Sequence, residues 1–149
     1  MARNPVTIET SDLRKRLRHA IEERRKNTAA RRVKLDEAAR AYTELLEVTA
    51  APLAQKLANA LKAEGLSFTV FTPGGGLRLA SDRGRDDYIE LSLDTASNPP
   101  QVVGRISHAR GSRTLAEELP VKPGVAPEAL SEDDVLIFLL DALGPWLER

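Results

Sequence analysis

Side chains that could bind an anion cluster around a predicted turn, in the segment "RISHARGSR" at residues 105–113. Guanidinium groups bind phosphate or sulfate in a forked geometry. Strand alternation puts Arg105 on one face and His108 on the other, so the set converges only if a bulge rotates one of them. We interpret the segment first as a polar hairpin tip, with an anion or small-ligand site as the alternative. The candidate anion-binding residues are Arg105, His108, Arg110 and Arg113.

Other residues with catalytic or metal-binding chemistry are few. The sequence has no Cys and only two His, which lie in unrelated predicted elements, so thiolate chemistry and a paired-His metal site find no support. The loop "PGGG" at 73–76 precedes a predicted strand, whereas a phosphate loop needs a following helix. Asp82, Asp86 and Asp87 lack the ligand spacing of a calcium loop. We therefore expect a protein that is not an enzyme and that binds no metal and no cofactor.

The clearest feature is a basic amino-terminal segment. Residues 1–40 carry twelve basic and six acidic groups, a net charge of +6, whereas residues 41–149 carry ten basic and sixteen acidic groups, a net charge of −6. Such a separation indicates charged partners, including other copies of the chain. The basic patch comprises Arg14, Lys15, Arg16, Arg18, Arg24, Arg25, Lys26, Arg31, Arg32 and Lys34.

These basic residues belong to a long predicted helix over residues 11–50. No Gly or Pro occurs between Val6 and Ala51, and helix-forming residues dominate. A heptad frame places Arg14, Ile21, Thr28, Leu35, Tyr42 and Thr49 at one seam position and Leu17, Arg24, Arg31, Ala38 and Leu45 at the other. A solitary helix of this composition is marginally stable, so we expect a partner to cover it. The predicted interaction seam consists of Leu13, Leu17, Ile21, Leu35, Tyr42, Leu45 and Leu46.

The rest of the chain predicts a compact α+β body. Pro52 either kinks the long helix or begins a second one, residues 52–64, which ends at Gly65. From Leu66 the apolar period changes to two, and short turns separate four or five strands, which predicts an antiparallel meander. A last helix, residues 131–147, begins with a capping box at Ser131 and is apolar on nearly its whole circumference. We expect one of its stripes on the sheet and the second, Leu136, Leu140 and Leu147, against the base of the long helix or another subunit.

The sequence therefore predicts an α+β fold. An antiparallel β-meander of four or five strands is covered on one face by two helices, and a long N-terminal helix projects from it. We expect two parts, a coiled-coil-like extension at 1–51 and the α+β body at 52–149. The expected function is protein interaction or assembly, in which the long helix oligomerises the chain or docks on a partner. Nucleic-acid association through the basic patch is the alternative.

The same composition indicates where the chain works. The N-terminus lacks the pattern of a signal peptide, and the longest apolar run, residues 135–140, is far too short to span a bilayer. We therefore expect a cytoplasmic homo-oligomer that does not bind membranes.

Overall fold

The N-terminal half of the chain is helical, as the sequence predicts. The computed structural model describes residues 6–148. Helix α1 spans Thr10–Glu44, a π-helical turn spans Leu45–Ala50, and α2 spans Ala51–Ala63. Helix α2 ends in a Schellman motif, in which the amide of Leu66 donates to the carbonyl of Leu61 and Gly65 has a φ of 84°. The predicted glycine stop is thus confirmed.

Pro52 lies at the start of a second helix, which is the second of the two alternatives that the sequence offers. The amide of Ala51 donates to the carbonyl of Leu46, five residues back, which is the bond of a π-turn. Pro52 follows in the first turn of α2, where its missing N–H is tolerated. The helical path therefore continues from α1 to α2 with one extra residue in the turn between them.

Five strands form one antiparallel meander. They are β1 (Phe68–Phe71), β2 (Leu77–Ser81), β3 (Tyr88–Asp94), β4 (Gln101–Arg110) and β5 (Arg113–Pro120). Their order in the sheet is the order in the chain, and every neighbouring pair is antiparallel. The predicted meander is confirmed with the higher of the two strand counts.

The two faces of the sheet differ in chemistry, as strand alternation requires. Leu79, Ile89 and Ile106 are register partners across β2, β3 and β4 and are almost completely buried. The opposite face is polar. There the Arg78 guanidinium bonds the Glu90 carboxylate at 2.7 Å and lies 4.0 Å from the centre of the Tyr88 ring.

The carboxyl-terminal segment contributes to the core. It forms two helices, whereas the sequence predicts one continuous helix over residues 131–147. Helix α3 spans Glu132–Ala142 and the single turn α4 spans Gly144–Leu147. Pro145 has no amide to donate to the carbonyl of Asp141, so the predicted helix over 131–147 divides at Leu143. The predicted capping box is present, because Ser131 and Asp134 each bond the other's backbone amide.

The helices pack on the apolar sheet face. The ring of Phe138 occupies the space that a Cβ at position 104 would need, which explains Gly104 in the middle of β4. The Trp146 ring meets Phe68 edge-on with ring centres 5.7 Å apart.

The chain forms two compact units, Met1–Asp36 and Glu37–Arg149. The division that the sequence suggests after residue 51 stays a prediction. Among residues 6–148, none of the helices combines the length and the apolar content that a membrane-spanning segment requires.

Candidate functional site

The amino-terminal part of the predicted seam lies open to solvent. Every side chain from Val6 to Lys34 is exposed, including Leu13 at 55%, Leu17 at 58% and Ile21 at 42%. Helical spacing places these three aliphatic side chains on one side of α1. Leu35 is half-buried. The helix thus presents an apolar stripe that the described residues of this chain do not cover.

The carboxyl-terminal part of the seam is used inside the chain itself. Tyr42 and Leu45 are buried in the hydrophobic core, and Leu46 is half-buried against it. The Tyr42 hydroxyl donates to the carbonyl oxygens of Gly75 at 2.8 Å and Leu91 at 3.3 Å. Burial, reinforced by the charge of Glu90, raises the pKa of Tyr42 to about 12. Of the seven seam residues, the three most N-terminal ones are therefore those fully available to a partner.

The heptad frame separates the charges of α1 into two groups. We call positions a, d, e and g of residues 13–35 the contact side of the helix. No acid falls on it, because Asp12, Glu22, Glu23 and Asp36 occupy positions b, c and f. Position e is arginine in three successive heptads. The basic residues of the contact side are Arg14, Arg18, Arg24, Arg25, Arg31, Arg32 and Lys34.

This arrangement disfavours pairing of the helix with an identical helix. In a parallel pair, Arg18, Arg25 and Arg32 at position e meet position g of the partner, which holds no acid. In an antiparallel pair the same arginines meet each other, which adds like-charge repulsion. The contact side therefore fits an acidic surface that also offers apolar side chains.

Such a surface is present on α3. Val135 and Leu139 are buried in the hydrophobic core, whereas Ile137 and Leu140 are 53% and 45% exposed. We call this side, made of Asp133, Leu136, Ile137, Leu140 and Asp141, the outer face of α3. Residues 132–148 contain five acids and no basic residue.

The second stripe predicted for this helix is thus largely uncovered within the chain. Leu136 is half-buried, and Leu140 and Leu147 are exposed. A helix with apolar residues on its whole circumference is predicted to be buried on every side. The sequence therefore could not show which apolar stripe is exposed to solvent. Which of the two predicted coverings applies to this stripe, the base of the long helix or another subunit, stays a prediction.

The acids near the start of α3 have different roles. Asp134 caps the helix and pairs with Lys122 at 3.3 Å. The hydrogen bond from the Ser131 backbone holds the pKa of Asp134 below its usual value, and the Ser131 hydroxyl and Lys122 lower it further. Within residues 6–148, Asp133 and Asp141 take part in no ion pair.

The structure distributes the predicted anion-binding residues over both faces of the sheet. Arg105 lies on the polar face, where it donates to the Tyr88 hydroxyl at 3.4 Å, and this bond raises the pKa of Arg105. His108 lies on the helix-covered face, with its ring centre 6.1 Å from that of Trp146. Arg110 and Arg113 are exposed register partners that flank the β4–β5 turn. The set does not converge on one point.

The acids considered for calcium binding serve separate hydrogen bonds. The Asp82 carboxylate accepts from Ser67 and Thr69, which lowers its pKa. Asp86 accepts from the Thr114 hydroxyl, and Asp87 accepts from the amide of Ala109. In the part of the chain that the structure describes, no group of three or more His, Asp or Glu side chains is placed to hold a metal ion.

A shallow cavity of about 260 Å³ lies between the π-helical turn and the "PGGG" loop. The amide of Gly76 donates to the carbonyl of Pro73 at 2.8 Å, so this loop is the predicted hairpin turn. Glu47 is the one ionisable side chain among the cavity's lining residues, which gives no acid–base pair for catalysis.

Among the described residues, the contact side of α1 is thus an uncovered apolar and basic surface, and the outer face of α3 is an uncovered apolar and acidic one. Neither a protein-family model, a curated protein nor a solved structure matches the chain.

Proposed function

We propose that this protein is a non-enzymatic assembly or docking protein whose contact with its partner is made by the N-terminal helix. The observation that supports this is the exposed stripe of Leu13, Leu17 and Ile21 on α1, a helix of 35 residues. Large aliphatic side chains repeating on one side of a helix typically pack against another protein surface. The absence of Cys suits a reducing compartment, and we place the protein in the cytoplasm.

Burial of the three exposed aliphatic side chains of α1 in a contact with a partner would be energetically favourable. Burying one Leu or Ile side chain contributes about 1.5–3 kcal/mol relative to leaving it in water. Three such side chains on adjacent turns would stabilise a contact by several kcal/mol before the entropy of association is subtracted. The basic side chains around them add steering toward an acidic partner and a dependence on salt.

Nucleic-acid association is the second candidate, and the seven basic residues of the contact side are the observation that favours it. Lys and Arg side chains neutralise phosphates and release counterions, which gives salt-sensitive binding without sequence preference. The helix offers no Phe, Tyr or Trp side chain before Tyr42 on which a base could stack, and Tyr42 is buried. The aliphatic stripe has no role in phosphate binding, so we rank protein contact first.

Sedimentation equilibrium of the full chain tests the proposal against a matched control. The variant Leu13→Gln/Leu17→Gln/Ile21→Gln removes the apolar stripe and keeps every charge. Val33→Gln removes an aliphatic side chain that is 54% exposed on the opposite side of α1. We expect the wild type and the control to exceed the 16.3 kDa of one chain at micromolar concentration, and the triple variant to sediment as a monomer.

Two results would contradict the proposal. In the first, the wild type and the triple variant have the same mass at every concentration. In the second, the wild type is monomeric and shifts RNA or DNA at low salt, and the triple variant shifts it equally well. The second result would establish the nucleic-acid candidate instead.

A further inference from the structure

We propose that the partner of the N-terminal helix is a second copy of this chain, and that the contact side of its α1 docks on the outer face of α3. This inference rests on the proposed function and names the surface that the helix recognises. The contact joins two different surfaces of the protein, the contact side of α1 in one copy and the outer face of α3 in the other.

The apolar stripe of α1 is no longer than helix α3. Leu13, Leu17 and Ile21 are spaced four residues apart and cover about 12 Å along the axis of α1. Helix α3, with 11 residues, is about 16 Å long. Its exposed Ile137 and Leu140 occupy adjacent turns, and Leu147 on α4 is also exposed. Two helices of such composition pack through side chains that interdigitate along these rows.

The charges of the two surfaces are opposite. The contact side of α1 carries seven basic residues and no acid, and residues 132–148 carry five acids and no basic residue. Asp133 and Asp141 lie four residues on either side of Ile137, so the exposed apolar side chain is flanked by carboxylates. Arginines at position e of α1 similarly flank Leu17 and Ile21. Docking would therefore bring opposite charges together around an apolar centre.

Other acidic surfaces of the chain fit this helix less well. Glu90 on the polar sheet face is already bonded to Arg78, and Arg105 adds a positive charge beside it. Asp82, Asp86 and Asp87 already accept hydrogen bonds, from Ser67, Thr114 and Ala109 respectively. The outer face of α3 combines exposed aliphatic side chains with carboxylates that form no ion pair within residues 6–148.

Charge reversal with complementation tests the inference in the full chain. One variant, Arg18→Glu/Arg25→Glu/Arg32→Glu, makes the contact side acidic. The other, Asp133→Lys/Asp141→Lys, makes the outer face of α3 basic. Each variant alone should weaken self-association by about tenfold or more, because like charges then face each other. An equimolar mixture should restore association to within about threefold of the wild type, because each altered surface then meets its complement.

Controls separate this effect from unfolding and from net charge. Glu64→Lys/Glu118→Lys raises the net charge by the same amount as the double α3 variant, at exposed positions outside α3, and Glu118 lies on the polar sheet face; it should change the dissociation constant by less than about twofold. Asp141→Lys alone places a cation in the last turn of α3, where the helix dipole favours it, and should still weaken association severalfold. Fluorescence of Trp146, which is buried and is the one Trp in the chain, reports whether each variant is folded.

The outcomes distinguish the two proposals. If the α1 variant loses association while the folded α3 variants keep wild-type affinity, or if the mixture fails to recover, this inference is overturned and the proposed function stands. If removal of the apolar stripe and both charge reversals leave the mass unchanged, the proposed function fails as well. Recovery in the mixture supports both.

Discussion

The hydroxyl of Tyr42 in α1 donates a hydrogen bond of 2.8 Å to the carbonyl oxygen of Gly75 in the β1–β2 turn. The two residues are 33 positions apart in the sequence, so this bond fixes the end of α1 to the sheet. Tyr42 also approaches the carbonyl of Leu91 in β3 at 3.3 Å, a central strand of the meander. The hydroxyl thus joins the helix to a turn and to the sheet at once.

Removing this hydroxyl should destabilise the body. Tyr42→Phe keeps the ring in the core and leaves the part-buried carbonyl of Gly75 and the buried carbonyl of Leu91 with one fewer donor, so we expect a loss of about 1 kcal/mol in the free energy of unfolding. Urea unfolding followed by Trp146 fluorescence measures it. Tyr88→Phe, which removes an exposed hydroxyl, should change stability by less than about 0.5 kcal/mol. Equal effects of the two substitutions would contradict the assigned role.

The same residue predicts a loss of stability at alkaline pH. The pKa of Tyr42 is about 12 in the folded chain, whereas an unfolded tyrosine titrates near 10. Between these values the unfolded chain releases its proton first, so stability present below about pH 10 is lost as pH rises toward 12. Stability should therefore fall more steeply with pH over this interval in the wild type than in Tyr42→Phe. Parallel slopes would show that Tyr42 ionises equally easily in both states.

Gly104→Ala should destabilise the sheet–helix contact, because the new methyl group would overlap with the Phe138 ring. Overpacking of this kind costs about 1–3 kcal/mol, and a rigid ring against backbone belongs at the upper end. Gly74→Ala is the matched control, since its Cβ meets nothing within 4 Å and its φ is ordinary, and it should be neutral to about 0.5 kcal/mol. Phe138→Leu should recover part of the loss in the Gly104→Ala background, and a simple sum of the two effects would refute the contact.

Ser131→Ala should lower stability by about 1 kcal/mol, because the Asp134 amide loses its capping partner at the start of α3. Ser131→Asp keeps an acceptor at the same position and should stay close to the wild type. Thermal unfolding followed by circular dichroism compares the three proteins. A loss of the same size in Ser131→Asp would show that the hydroxyl acts through something other than the cap.

The fold class could be predicted from the sequence because the apolar repeat of each segment agrees with the turn and capping residues at its ends. The change of apolar period after Gly65 and the turn residues between strands defined the meander, and the Ser131–Asp134 spacing defined the start of α3. The division of the last helix at Leu143 was missed, because the apolar pattern continues through Gly144 and Pro145 while the backbone bond does not. The prediction followed the apolar repeat of the last helix and gave too little weight to the missing amide of Pro145.

The candidate surfaces were harder to predict, because exposure depends on what the rest of the chain covers. The heptad frame places Leu17 and Leu45 at the same position, yet one is exposed and the other lies in the core. The same limit applies to α3, whose apolar circumference gave no sign that Ile137 would face solvent. Alternation along a strand, by contrast, correctly separated Arg105 from His108.

The π-helical turn decides which side chains of α1 reach the sheet. Buried positions advance by three or four residues through Ala38, Tyr42 and Leu45, and then by five to Ala50. Each residue adds about 100° of rotation to an α-helix, so deleting one residue between Leu45 and Ala50 would turn everything before it by about that angle. The number of residues in this segment therefore determines which side chains at the end of α1 enter the core. Insertions or deletions here should be far less tolerated than substitutions at exposed Val48.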